Sequence, residues 1–155
     1  MLRIGTISEG TLRPEDLLEA LGSALEEVAT SGNHRSLAKD ARHMAWELES
    51  DDWPDPDQAA IDDTLQHLYE SLEYYAPALT YVGAIEGDGA CIGVWPDMNA
   101  FEDCVNDGEI LKVSDLNEVP DPPINYEAVA VVNDHGNVTL WAMTPDGLKE
   151  QWAVV

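Results

Sequence analysis

Cations are what this chain has least of. Seven lysines and arginines stand against 31 aspartates and glutamates, a formal charge of −24. A surface that negative repels the phosphates of nucleic acids and anionic lipid, and it attracts basic surfaces. Direct binding to nucleic acid or a membrane is therefore not expected. Long apolar runs are missing as well. No stretch approaches the roughly 20 apolar residues that a membrane-crossing helix needs. The opening Met1-Leu2-Arg3-Ile4-Gly5 has no signal-peptide core, so the expected compartment is the cytoplasm. Cys91 and Cys104 are the only cysteines, and they lack the C-x-x-C spacing of a zinc or redox site. Two free thiols are the expectation.

Motifs of known chemistry are absent too. The acidic run from Asp51 to Asp57 lacks the D-x-D-x-D-G spacing and the distant glutamate of an EF-hand loop. His34, His43, His67 and His135 include no i,i+4 pair of the kind a helical zinc motif uses. Glu86-Gly87-Asp88-Gly89 joins two expected strands and is acidic, so it reads as a hairpin turn and not as a phosphate loop. Neither a cofactor nor a metal is expected.

What is present is a well-patterned globular chain. Apolar residues make up 45% of it, too many for a disordered sequence. A length of 155 residues suits one domain, with a helical half at 1–77 and a sheet half at 78–155. Residues 2–9, with Leu2, Ile4 and Ile7 near alternation, predict a short edge strand or ordered arm. Pro14 at a first helical turn, then Glu15 and Asp16 at its positive end, open a helix to about Ala29. Leu17, Leu18, Leu21, Leu25 and Val28 are its apolar stripe. A second helix spans about His34–Glu49, with Asn33 as its cap and Leu37, Ala41, Met44, Ala45 and Leu48 inward. A third spans about Asp57–Tyr75, capped by Asp55, with Ile61, Leu65, Leu68, Leu72 and Tyr75 inward.

The second half reads as strands. Leu79–Ile85 and Ala90–Trp95 form a hairpin whose second strand is central in its sheet. A short helix at Met98–Asn106 has Asp97 as its cap, and Ile110–Leu116 is a strand. Glu118–Asn125, with three prolines, is an extended crossing segment. Ala128–Val132, Val138–Met143 and Leu148–Val154 make a three-stranded meander, with Gly136 and Gly147 where short loops need positive φ. Helices first and strands later predict an α+β fold: three N-terminal helices on a mostly antiparallel sheet of five or six strands, with the meander as floor.

The candidate functional feature is the acidic surface. Opposite its apolar stripe the third helix carries Asp62, Asp63, Glu70 and Glu73, and the first carries Glu15, Glu19 and Glu26. The linker between them in sequence adds Asp51, Asp52, Asp55 and Asp57, with Trp53 as an aromatic anchor for a partner. Carboxylates at i,i+4 recur about every 6 Å, whereas each DNA strand presents a phosphate every 3.4 Å or so. One helix is too sparse to imitate a duplex; two helices plus the linker approach that density. Three readings of the acidity compete: adaptation to a high-salt proteome, plain solubility, and a surface for a basic partner, such as a protein that otherwise holds nucleic acid. A ligand-binding or catalytic pocket between helices and sheet, near His135 and Asp134, is the alternative.

Three segments also carry a resemblance: Gly10-Thr11-Leu12-Arg13-Pro14-Glu15-Asp16-Leu17-Leu18, Gly83-Ala84-Ile85-Glu86-Gly87-Asp88-Gly89, and Val132-Asn133-Asp134-His135-Gly136-Asn137-Val138-Thr139-Leu140. Together, and in this order, they resemble a family of small uncharacterised proteins of bacteria and of their phages or mobile elements. The resemblance implies a cytoplasmic setting and a phage origin as expectations. It carries over no catalytic residue and no cofactor.

Overall fold

A computed structural model describes residues 1–50, 57–120 and 126–154. Asp51, Asp52, Trp53 and Asp55, and 121–125 of the proline-rich segment, lie outside the described residues. The order of elements is β1 (Gly5–Ser8), α1 (Pro14–Val28), α2 (Gly32–Glu49), α3 (Gln58–Tyr75), β2 (Thr80–Ile85), β3 (Asp88–Pro96), α4 (Met98–Asn106), β4 (Ile110–Val113), β5 (Ala128–Val132), β6 (Val138–Thr144) and β7 (Gly147–Val154). The class is α+β. The strands form two sheets, β1-β3-β2 and β4-β5-β6-β7, and not the single sheet of five or six strands expected. The chain divides into two compact units: Met1–Ala76 with Thr80–Trp95, and Pro77–Leu79 with Pro96–Val155.

The helical unit is organised by leucine. Leu17, Leu18, Leu21 and Leu25 of α1 are buried with Ile61, Leu68, Leu72 and Tyr75 of α3. Only alanines of α2 are fully buried, Ala38, Ala41 and Ala45, while Leu37, Met44 and Leu48 pack at the margin. Val82 of β2 and Ile92 and Val94 of β3 belong to the same cluster, so the three-stranded sheet closes this core. That shared burial is why the β2–β3 hairpin goes with the helices. The hairpin turn is two residues, Glu86-Gly87, because β3 already begins at Asp88.

Local chemistry sets the helix boundaries. Ser31, and not Asn33, caps α2: its backbone is extended (φ −84°, ψ 149°) and its hydroxyl accepts the His34 N–H at 3.2 Å. Asn33 already lies inside the helix. Asp57 caps α3 by accepting the Ala59 N–H at 3.0 Å, the role expected of Asp55. Arg13 at the N-cap of α1 makes no side-chain cap bond; nearby, the Thr11 hydroxyl donates to Asp16 at 2.6 Å.

The arm at the N-terminus is an edge strand. β1 runs antiparallel to β3, pairing Gly5 with Val94 and Thr6 with Gly93. Gly93 permits that approach: a Cβ there would lie 2.3 Å from the Gly5 carbonyl oxygen and 2.7 Å from the Trp95 ring. β3 is central, as its apolar faces predict.

In the second unit the meander forms as its turns dictate, with Gly136 and Gly147 both at positive φ. Asn133 ties the β5–β6 loop, its side-chain oxygen accepting the N–H groups of His135 and Asn137. β4 joins this sheet in parallel to β5, Ile110 opposite Ala128. It ends at Val113, three residues short of the expected Leu116, which instead begins a single 3₁₀ turn, Leu116–Glu118. Asp97 caps α4, accepting from Asn99 and Ala100. Phe101 of α4 meets Trp152 of β7 edge to face at 6.2 Å, and the Trp152 indole N–H donates to the Ala78 carbonyl at 2.8 Å.

Two variants test this packing. Leu72→Ala empties a fully buried site and is expected to lower unfolding free energy by about 3 kcal/mol in urea titration. Gly93→Ala is expected to release β1 from β3, seen as fast amide exchange at Thr6 while the α1–α3 amides stay protected.

Candidate functional site

The carboxylates of α1 and of α3 meet different fates. Along α1, Glu15 pairs with Arg13. Glu19 and Glu26 share one cation from the neighbouring helix, Arg42 of α2: Nε lies 3.0 Å from Glu19 Oε1 and Nη1 lies 2.6 Å from Glu26 Oε2. Those hydrogen bonds, to Glu26 first and Glu19 second, raise the Arg42 pKa further. The α1 stripe offered as a partner surface is thus partly offset from within. The cause is close helix approach at Gly22, where a Cβ would stand 2.8 Å from Arg42 Cγ and 3.1 Å from the Ala38 carbonyl oxygen.

α3 has no lysine or arginine of its own. At about 100° per residue, Asp62, Glu73, Glu70 and Asp63 fall within one arc of about 100°, opposite the buried Ile61, Leu68 and Leu72. All four are exposed. Asp62 accepts from the Gln58 amide at 2.8 Å and Glu70 from the Gln66 amide at 2.9 Å. Both donors are neutral. Asp63 lies 3.4 Å from the His67 ring, a cation only when protonated. No lysine or arginine pairs with Glu73 among the described residues. Asp57 caps the start of the same helix.

Trp53, the aromatic anchor expected from the sequence, lies outside the described residues; among those described, Tyr74 and Trp46 stand in the open. Tyr74 is 76% exposed, beside the acidic arc of α3, and Trp46 of α2 is 56% exposed. Their signal was legible: each falls one or two positions off its helix's apolar stripe, so a large ring there must face solvent. Trp46 stacks on His43, centroids 5.9 Å apart at 13°. It also borders a groove of about 530 Å³ with Thr11, Glu15, Asp16, Glu19 and Glu49. Carboxylates beside an indole face suit an ammonium or guanidinium group.

The alternative near His135 and Asp134 is less developed. Both side chains are exposed at the loop tip. A groove of about 330 Å³ between α4 and the sheet is lined by Met98, Phe101, Lys112 and Val138 and reaches Gly136, but neither His135 nor Asp134 lines it. Cys91 and Cys104 are free thiols. A hydrogen bond with Glu109, burial, and the charges of Glu109, Asp107 and Asp103 push the Cys104 pKa up, which favours the protonated thiol. Among the described residues no cluster of histidine, cysteine and carboxylate could hold a metal ion, and no helix is long and apolar enough to cross a membrane.

Comparison with protein families, curated proteins and solved structures finds no match to this chain.

The Arg42 pair is testable by salt. Arg42→Met is expected to lower the Tm at low ionic strength, with the difference from wild type shrinking towards about 1 M salt, where the screening length falls to about 3 Å. Gly22→Ala, which would stabilise an isolated helix by about 1 kcal/mol, is expected to destabilise this protein in the same melts, because the added methyl displaces Arg42 and presses on Ala38.

Proposed function

We propose that this protein is a non-enzymatic, acidic protein-binding module that occupies a basic surface of another protein. The observation that carries the reading is the α3 face: Asp62, Asp63, Glu70 and Glu73 are solvent-facing, with no lysine or arginine paired to them among the described residues. Two of the seven cations, Arg13 and Arg42, pair with Glu15, Glu19 and Glu26, whereas the α3 arc keeps its negative charge unpaired by lysine or arginine among the described residues. Tyr74 beside the arc supplies an aromatic contact of the kind that anchors interfaces. The four carboxylates lie within 12 residues, about 16 Å of helix from first to last. That spacing is sparser than duplex phosphates, so the partner is recognised as a basic protein patch and not through a copy of DNA geometry. A surface that normally holds nucleic acid has the required charge, and a phage-encoded or mobile-element inhibitor of a host defence or regulatory protein is the setting in which blocking it would be useful.

The test is capture of partners from host lysate at two ionic strengths, using wild type and two sets of neutralised variants. Asp62→Asn with Asp63→Asn, Glu70→Gln and Glu73→Gln is expected to lose the captured protein, and high salt is expected to release it from wild type. Glu19→Gln with Glu26→Gln is expected to keep it. Capture that is insensitive to salt and to the α3 substitutions would count against the reading.

A further inference from the structure

Tyr75, the last residue of α3, sits where three segments of the helical unit converge. Its hydroxyl receives the Thr30 backbone N–H at 3.1 Å, lies 3.4 Å from the Thr30 hydroxyl, and lies 2.9 Å from Nδ1 of His34 in the first turn of α2. Its backbone carbonyl accepts the Leu2 N–H at 2.8 Å. One buried residue thus ties α3 to the α1–α2 connection, to α2, and to the segment leading into β1.

We propose that the Tyr75 hydroxyl, with His34 and Thr30, is a proton-operated latch that tightens the helical unit as pH rises from neutral to alkaline. A phenol has one proton to give and lone pairs to offer. With the proton on, it donates to one neighbour and accepts from the rest. With the proton off, it accepts from the Thr30 N–H, the Thr30 hydroxyl and an Nδ1–H of His34 together, each now a hydrogen bond to a charged oxygen. The His34 contact survives the change, because the ring accepts from the phenol and, in its other tautomer, donates to the phenolate.

The surroundings favour the anion. Hydrogen bonds from the Thr30 hydroxyl, then His34, and from the Thr30 and Ser31 backbones outweigh burial, and lower the Tyr75 pKa from 10.0 to about 7. The groups around it are accounted for on each element. α2 brings His34 and, next in its first turn, Arg35, whose Nε is held on the Ala29 carbonyl. The α1–α2 connection brings only the uncharged Thr30 and Ser31. α3 brings Tyr74, edge-on at 5.0 Å, and Glu73 on the opposite, exposed arc. The N-terminal segment brings the Met1 ammonium and Arg3 on either side of Leu2, whose N–H bonds the Tyr75 carbonyl and not its hydroxyl. The positive end of α2 lies on the same side as the hydroxyl's donors.

The sign follows. A group with a lowered folded-state pKa adds stability that is fully present above its unfolded pKa and is lost as pH falls through the folded one. For Tyr75 that window runs from about pH 10 down to about pH 7.

The experiment is a near-ultraviolet tyrosinate titration of the intact protein, with melts across the same pH range. One of the five tyrosines is expected to ionise near neutral pH in wild type and in none of the Tyr75→Phe protein. Wild type is expected to gain Tm relative to Tyr75→Phe between pH 7 and pH 10. If Tyr75→Phe does not fold, His34→Gln serves instead, since loss of the ring must move the early ionisation upward. Five tyrosines titrating together near pH 10, or a Tm difference that does not change with pH, would overturn the latch.

Discussion

The helical unit depends on how closely α1 and α2 approach at Gly22. With no side chain there, the two helices meet through Ala38 and Ala41, and the stem of Arg42 lies across α1. That single placement brings a cation between Glu19 and Glu26. It decides which part of a strongly negative surface is balanced and which is left open. The Arg42 pairs are themselves solvent-exposed, so their contribution to stability is small, and their consequence is the placement of charge.

Charge on this protein is therefore a pattern more than a total. A net −24 says that the chain repels anions and resists association. It does not say where the field is strongest. On α1, Glu15, Glu19 and Glu26 end on arginine; on α3, Asp62 and Glu70 end on neutral amides and Asp63 on a histidine. The leucine core beneath both helices is common to them and is indifferent to the distinction. Mutation of that core would unfold both faces together, whereas neutralisation of one face leaves the fold intact and changes only what the surface attracts.

Much of the architecture was readable from residue order. The stripes of α1 and α3, the cap of α4, the central position of β3 and the meander with its two glycines all follow from local period and turn chemistry, which short segments carry by themselves. The division into two sheets was not readable, because it depends on Val82, Ile92 and Val94 joining the leucines of α1 and α3, a long-range choice. The cap of α2 was misplaced by two residues because Asn33 and Ser31 are both good caps and only backbone geometry separates them. The acidic stripes were legible as stripes. Their pairing was not, since Arg42 meets Glu19 and Glu26 across 23 and 16 residues of sequence. Helical phase alone places Trp46 and Tyr74 beside, and not within, the apolar stripes of α2 and α3. The convergence on Tyr75 had no sequence signal at all.

The most direct measurement of the central claim is carboxylate footprinting with a basic probe. The protein is treated with a carbodiimide and a small amine, alone and with polylysine bound, and the modified sites are located by mass spectrometry. The account predicts protection at Asp62, Asp63, Glu70 and Glu73 and unchanged labelling at Glu19 and Glu26. Protection centred on Glu19 and Glu26, or spread evenly over all the acidic residues, would contradict it.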